Sequence, residues 1–304
     1  MELSTTQPPG EPLPLTALQR VHTSLPRGAC DTHTHIFGPA TQFPYAPERT
    51  YTPADAPFKA LLALHRTLGI ERGVLVQPGC HGYDLSAVLD AVARGQGQYR
   101  AVALLRDDAT ADEVARLDRA GVRGVRFNFV AHLQNTPWEQ VEKTARLIAP
   151  FGWHICIHSD NLSLPDLLNK LLTLPVPFVL DHMGRVSADK GVDDPLFQAM
   201  LALAGNRSAW VKVSGIDRIS GTGKRPFADG NPFVRALVQA MPDQILWGSD
   251  WPHPNVRTEM PDEGQLLNTF LALCPDAADR QRILVDNPQQ LYRFDEPDLK
   301  GNAS

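Results

Sequence analysis

The sequence predicts a (β/α)8 barrel, and three observations carry that prediction. Eight short β-branched runs alternate with amphipathic stretches of helical period. The runs are apolar almost throughout, as parallel strands covered on both sides are. The polar residues they do contain gather towards their C-terminal ends, the rim on which such barrels build their sites.

The strand-like runs are 28–38 (GACDTHTHIFG), 73–78 (GVLVQP), 99–105 (YRAVALL), 122–129 (VRGVRFNF), 153–159 (WHICIHS), 177–183 (PFVLDHM), 209–215 (AWVKVSG) and 244–250 (QILWGSD). Between them lie helix-like stretches such as APFKALLALHRTLG, ADEVARLDRAG, PWEQVEKTARLIAP and NPFVRALVQAM, each with apolar residues at intervals of three and four. A doubly wound open sheet shows similar alternation. The strand-end polar residues favour the barrel: His33 and His35, Arg126 and Asn128, His158, Asp181 and His182, Lys212 and Ser214, and Asp250 would all meet at one mouth. The expected organisation is a Pro-rich arm over 1–26, the barrel over 27–294 and a loose tail over 295–304.

Composition narrows the partners. With 29 Lys and Arg against 34 Asp and Glu the net charge is −5, and no basic block runs along the chain, which argues against nucleic acid. A local arginine cluster still suits an anionic small molecule. Cys30, Cys80, Cys156 and Cys274 lack CxxC spacing and read as reduced core residues of a cytoplasmic protein. No apolar run approaches the length that crosses a bilayer, and the N-terminus lacks a signal-peptide pattern.

The chemistry concentrates on histidine and aspartate. Alternate strand residues share a face, so His33 and His35 can reach one ion or one water. Together with His158, His182 and Asp250 at other strand ends they suit zinc or another borderline divalent ion with an open position for water. Such an ion lowers the pKa of bound water, and Asp250 could then take the water proton and pass it to a leaving group. His65 and His154 read as structural, His253 follows a proline on a loop where turn stabilisation stands beside a chemical role, and no GxxxxGK[ST] phosphate loop occurs.

The motifs DTHTHIFGP, GVRFNF, VLDHMGR and WGSDWPHPN, in that order, resemble the amidohydrolase superfamily, specifically its lactone hydrolase branch acting on pyrone dicarboxylates and sulfomuconolactones. The likeness runs from about Arg27 to Tyr292. It implies an HxH pair at His33 and His35, a sixth-strand histidine at His182, a proton-transferring Asp250, and substrate contacts from Tyr51, His81, Arg126, Arg185 and Arg218. Two positions depart from the pyrone dicarboxylate pattern: His158 replaces a tyrosine and His132 a further arginine. His158 thus has two readings, as a metal ligand or as a hydrogen-bond donor to the lactone carbonyl. The expectation is a lactonase with one divalent ion, zinc or manganese, while the branch also permits metal-independent catalysis. Nonoxidative decarboxylation of an aromatic or unsaturated acid is the alternative within the superfamily, and anion binding without turnover the alternative outside it.

Overall fold

A computed structural model describes residues 13–130 and 136–295. The first twelve residues of the expected arm, the tail after 295 and His132 lie outside the described residues. Eight parallel strands follow one another around the sheet in chain order: β1 (Cys30–Thr34), β2 (Arg72–Val76), β3 (Tyr99–Ala103), β4 (Val122–Phe129), β5 (His154–Ser159), β6 (Phe178–Leu180), β7 (Ala209–Val213) and β8 (Ile245–Trp247). This is the expected (β/α)8 barrel. Its helices are α1 (Phe58–Leu68), α2 (Ser86–Arg94), α3 (Ala111–Arg119), α4 (Trp138–Ile148), α5 (Leu164–Leu171), α6 (Pro195–Leu201), α7 (Ile216–Ile219), α8 (Asn231–Ala240), α9 (Glu263–Leu273), α10 (Ala277–Gln281) and α11 (Asn287–Tyr292). Among the described residues no helix is long and apolar enough to cross a membrane.

Local chemistry explains the element ends. Thr110 caps α3 by accepting from the Glu113 amide at 3.3 Å, and the left-handed Gly69 stops α1. Asp262 caps α9 through the Gln265 amide at 2.9 Å and also accepts from the Gln19 amide, which ties the described part of the N-terminal arm to this helix. All four cysteines are free and buried.

The apolar residues divide into two layers. One lies between strands and helices; the other fills the barrel itself with Cys30, Val74, Val76, Val102, Cys156, Val179, Trp210 and Leu246. Tyr292 and Phe294 join the inner layer, with the guanidinium groups of Arg72 and Arg100 about 5 Å from the Phe294 ring centre.

Strand β1 carries the irregularity that makes the site. Asp31 pairs with Gly73 and Thr34 with Leu75, so three steps on β1 oppose two on β2. A bulge of this kind exchanges the faces of the residues beyond it. Cys30 belongs to the interior before the bulge, and after it His33 reaches Lys212 of β7 and His35 reaches Asp250. Alternation alone would place a pair on one face without choosing which.

Ring closure follows from the same segment. The Asp250 amide donates to the His33 carbonyl and the His35 amide to the Trp251 carbonyl, both at 2.9 Å. Buried Asp31 accepts from the His33 amide at 3.1 Å and the Ser249 amide at 3.0 Å, pinning β1 to the segment after β8. Gly248 permits this approach, because a Cβ there would stand 2.7 Å from His33 Cβ.

Two outcomes follow. Asp31→Ala orphans two buried amides and should destabilise the fold by about 2–5 kcal/mol in urea titration, with Asp31→Asn costing less. Burial, with the Lys212 charge nearby, lowers the interior His154 to about 3 from 6.5. The unfolded imidazole binds a proton below about 6.5 and the folded one does not, so stability is full above that pH and falls as pH drops towards 3. His154→Leu should flatten the pH dependence of stability between 7 and 4.5.

Candidate active site

At the mouth, one carboxylate oxygen faces three imidazoles. Asp250 Oδ1 lies 3.7 Å from His33 Nε2, 3.6 Å from His35 Nε2 and 3.8 Å from His182 Nε2. The sequence predicts Asp250 and His182 at strand ends; both instead lie beyond their strands, because β8 ends at Trp247 and β6 at Leu180. Both take left-handed backbone, with φ 66° at Asp250 and 53° at His182, a conformation uncommon outside glycine. Closure onto β1 holds Asp250 there. Gly215, itself left-handed, leaves room for His182: a Cβ on it would stand 2.9 Å from His182 Nδ1.

The far side of each ring decides what its near side offers. His35 Nδ1 donates to the Val76 carbonyl at 2.7 Å, which leaves the lone pair on Nε2. His182 Nδ1 meets the Ser214 hydroxyl at 3.0 Å. His33 Nδ1 stands 3.2 Å from Lys212 Nζ and 3.4 Å from Asp181 Oδ1. His33 Nε2 is buried and has no hydrogen-bond partner. His33, His182 and Asp250 offer donor atoms within 4.8 Å of one another, a spacing that could hold a metal ion.

His158 stands apart from that group. Its ring centre is 5.6 Å from that of His182, and its Nδ1 donates to Asn128 Oδ1 at 3.0 Å. In this arrangement Nε2 keeps its lone pair and can accept or ligate, whereas donation to a carbonyl would need the other tautomer.

Charge is arranged in tiers. Buried Asp181 pairs with Lys212 Nζ at 3.1 Å and with Arg126 Nε at 3.0 Å. Burial opposes ionisation of Asp181, yet Lys212, His33 and Arg126 hold its carboxyl well below the usual range. Burial would likewise raise Asp250, but His182 and Arg218 hold it low, and Arg218 places Nη2 at 2.9 Å and Nε at 3.2 Å from Oδ2. Burial keeps His182 well below its ordinary value despite Asp250; for His158, burial and the Arg126 charge act in the same direction.

A cavity of about 590 Å³ opens over this floor. Tyr51, Arg126, His158, His182, Arg185, Arg218 and Asp250 line it, joining most of the residues the sequence singled out. Arg49, Asp217 and Arg257 also reach its wall and had no distinguishing sequence signal. His81 is placed differently: its Nδ1 donates to the Pro44 carbonyl and its Nε2 accepts from the Gly38 amide, so the ring braces the loop beyond β1. His253 pairs with Glu263 at 3.2 Å, both side chains fully buried.

The chain is similar to characterised and solved proteins over most of its length. The 2-pyrone-4,6-dicarboxylate hydrolase of Comamonas testosteroni is 43% identical over 277 residues, spanning 88% of this chain and 91% of that protein. The 4-sulfomuconolactone hydrolase of Hydrogenophaga intermedia is 38% identical over 272 residues, spanning 88% and 89%. A solved structure from Acinetobacter baumannii, described as a probable 2-pyrone-4,6-dicarboxylic acid hydrolase with citric acid bound, superposes with a TM-score of 0.78 at 26% identity, covering 88% of this chain and all of that one. The sequence profile described as amidohydrolase matches residues 30–294, a span that takes in every strand of the barrel together with His33, His35, His182 and Asp250, and the chain belongs to that family.

Proposed function

We propose that the protein hydrolyses a small anionic lactone of the pyrone dicarboxylate or sulfomuconolactone type, by attack of water on the ring carbonyl with Asp250 as general base and then acid. The observation that carries this reading is the single carboxylate oxygen facing three imidazoles beneath a cavity walled by Arg126, Arg185 and Arg218. The activities for which the two hydrolase relatives are named support the same reaction class. A role in aromatic-compound breakdown and a cytoplasmic location belong to the same proposal.

The donor set fits one divalent ion of the zinc or manganese class. His33 Nε2 is an orphaned buried nitrogen, His35 is preset with its lone pair towards the floor, and His182 and Asp250 complete the set. When bound, such an ion supplies Lewis acidity for the carbonyl and acidifies water. We assign His158 to a supporting contact at the cavity side of that set, through its unprotonated Nε2.

The chain's own groups account for the proton inventory. Arg185, Arg126 and Arg218 orient the substrate anion by charge-assisted hydrogen bonds, and Tyr51 walls the ring. Water adds its oxygen to the carbonyl carbon and gives one proton to Asp250 Oδ1. The ring C–O bond then breaks, and Asp250 returns the proton to the departing ring oxygen. The product is an open-chain acid with one carboxylate more than the lactone.

The test is proton release on a pH-stat with 2-pyrone-4,6-dicarboxylate, 4-sulfomuconolactone and neutral sugar lactones. Turnover confined to the anionic lactones is expected; carbon dioxide release from aromatic acids without lactone opening would overturn the reading in favour of decarboxylation. Asp250→Asn should lower kcat by about 10²–10⁴-fold. Arg185→Gln should raise KM by about ten- to a hundredfold through loss of a charged hydrogen bond, with a smaller effect on kcat.

A further inference from the structure

We propose that Lys212 is a positioning residue that keeps the His33, His182 and Asp250 cluster a weak site for divalent cations; the proposal rests on the reading that this cluster takes such an ion. Lys212 lies on β7 and is fully buried. Its Nζ reaches His33 Nδ1 at 3.2 Å, Asp181 Oδ1 at 3.1 Å and Cys156 Sγ at 3.8 Å. A lysine ammonium has donors and no acceptor. In its contact with His33, Nδ1 is therefore the acceptor, and the proton of the neutral ring sits on Nε2.

Metal ligation needs the reverse. His33 Nε2 must present a lone pair, so the ring proton must sit on Nδ1 and point at Asp181 Oδ1, 3.4 Å away. Lys212 opposes that arrangement twice, by facing an N–H with an N–H and by placing a fixed positive charge behind a ligand of a dication. His35 carries no such conflict, because the Val76 carbonyl already holds its proton on Nδ1. The Ser214 hydroxyl behind His182 can donate or accept and imposes neither tautomer. Among these three imidazoles, His33 is the one whose partner disfavours ligation.

Removing the ammonium leaves Asp181 in place, since Arg126 Nε still pairs with its other oxygen at 3.0 Å. His33 Nδ1–H can then donate to Asp181, completing a carboxylate–histidine–metal arrangement of the kind that strengthens metal sites. Lys212→Met should consequently bind Zn²⁺ about tenfold or more tightly than the natural protein, measured by competition with a chromophoric chelator on the full chain at pH 7. Lys212→Gln, which keeps a donor but loses the charge, should fall between the two and serves if the methionine variant does not fold.

A lysine with a purely structural role would, when replaced, loosen the site and weaken Zn²⁺ binding. Tighter binding by both variants supports the proposal. Equal or weaker binding by the variants overturns it alone. No measurable Zn²⁺ binding by the natural protein or either variant overturns it together with the metal reading.

Discussion

The site depends on the backbone junction between β1 and the segment after β8. Asp250 is not held by a strand of its own; its amide hangs from the His33 carbonyl, and the His35 amide hangs from the Trp251 carbonyl. One pair of hydrogen bonds thus closes the barrel and fixes the carboxylate against both histidines of the HxH pair. Asp31 guards the junction by accepting from an amide on each side. Because these groups are buried, water cannot replace a lost partner, and the geometry has little freedom to relax.

Above that junction, the interior is ionic where a barrel core is ordinarily apolar. Lys212, Asp181 and Arg126 form a connected set under the cavity floor, while Arg218 is engaged with Asp250. Burying such groups is costly unless each is paired. Here the pairing locks the floor, while Arg49, Arg185 and Arg257 reach the cavity wall beside Glu48 and Asp217 in a chain of net charge −5. The weak metal site inferred from Lys212 arises from the same economy: the cation that satisfies Asp181 stands behind His33.

Much of this was legible in the sequence because β-branched runs and helical periodicity are local signals. All eight runs became strands, and the stretches between them became helices. Strand lengths are less legible: the sixth and eighth runs extend to Met183 and Asp250 in pattern, but left-handed backbone sets in at His182 and Asp250 and the strands end sooner. The β1 bulge was not legible, since a register shift is a property of two strands and not of one. His81 carried a resemblance but was drawn into bracing a loop. Lys212 did carry a signal, a charged residue within the apolar run AWVKVSG, yet its partners His33 and Asp181 are far away in sequence and meet it only through ring closure.

If water adds to a lactone carbonyl at the Asp250 floor, its oxygen must appear in the product, which isotope labelling reads. Turnover of 2-pyrone-4,6-dicarboxylate or 4-sulfomuconolactone in ¹⁸O-water, followed by mass spectrometry, should place a single ¹⁸O in the newly formed carboxylate of the ring-opened product. A product that has gained no oxygen from solvent, or that has lost the mass of carbon dioxide with its ring intact, would contradict the account.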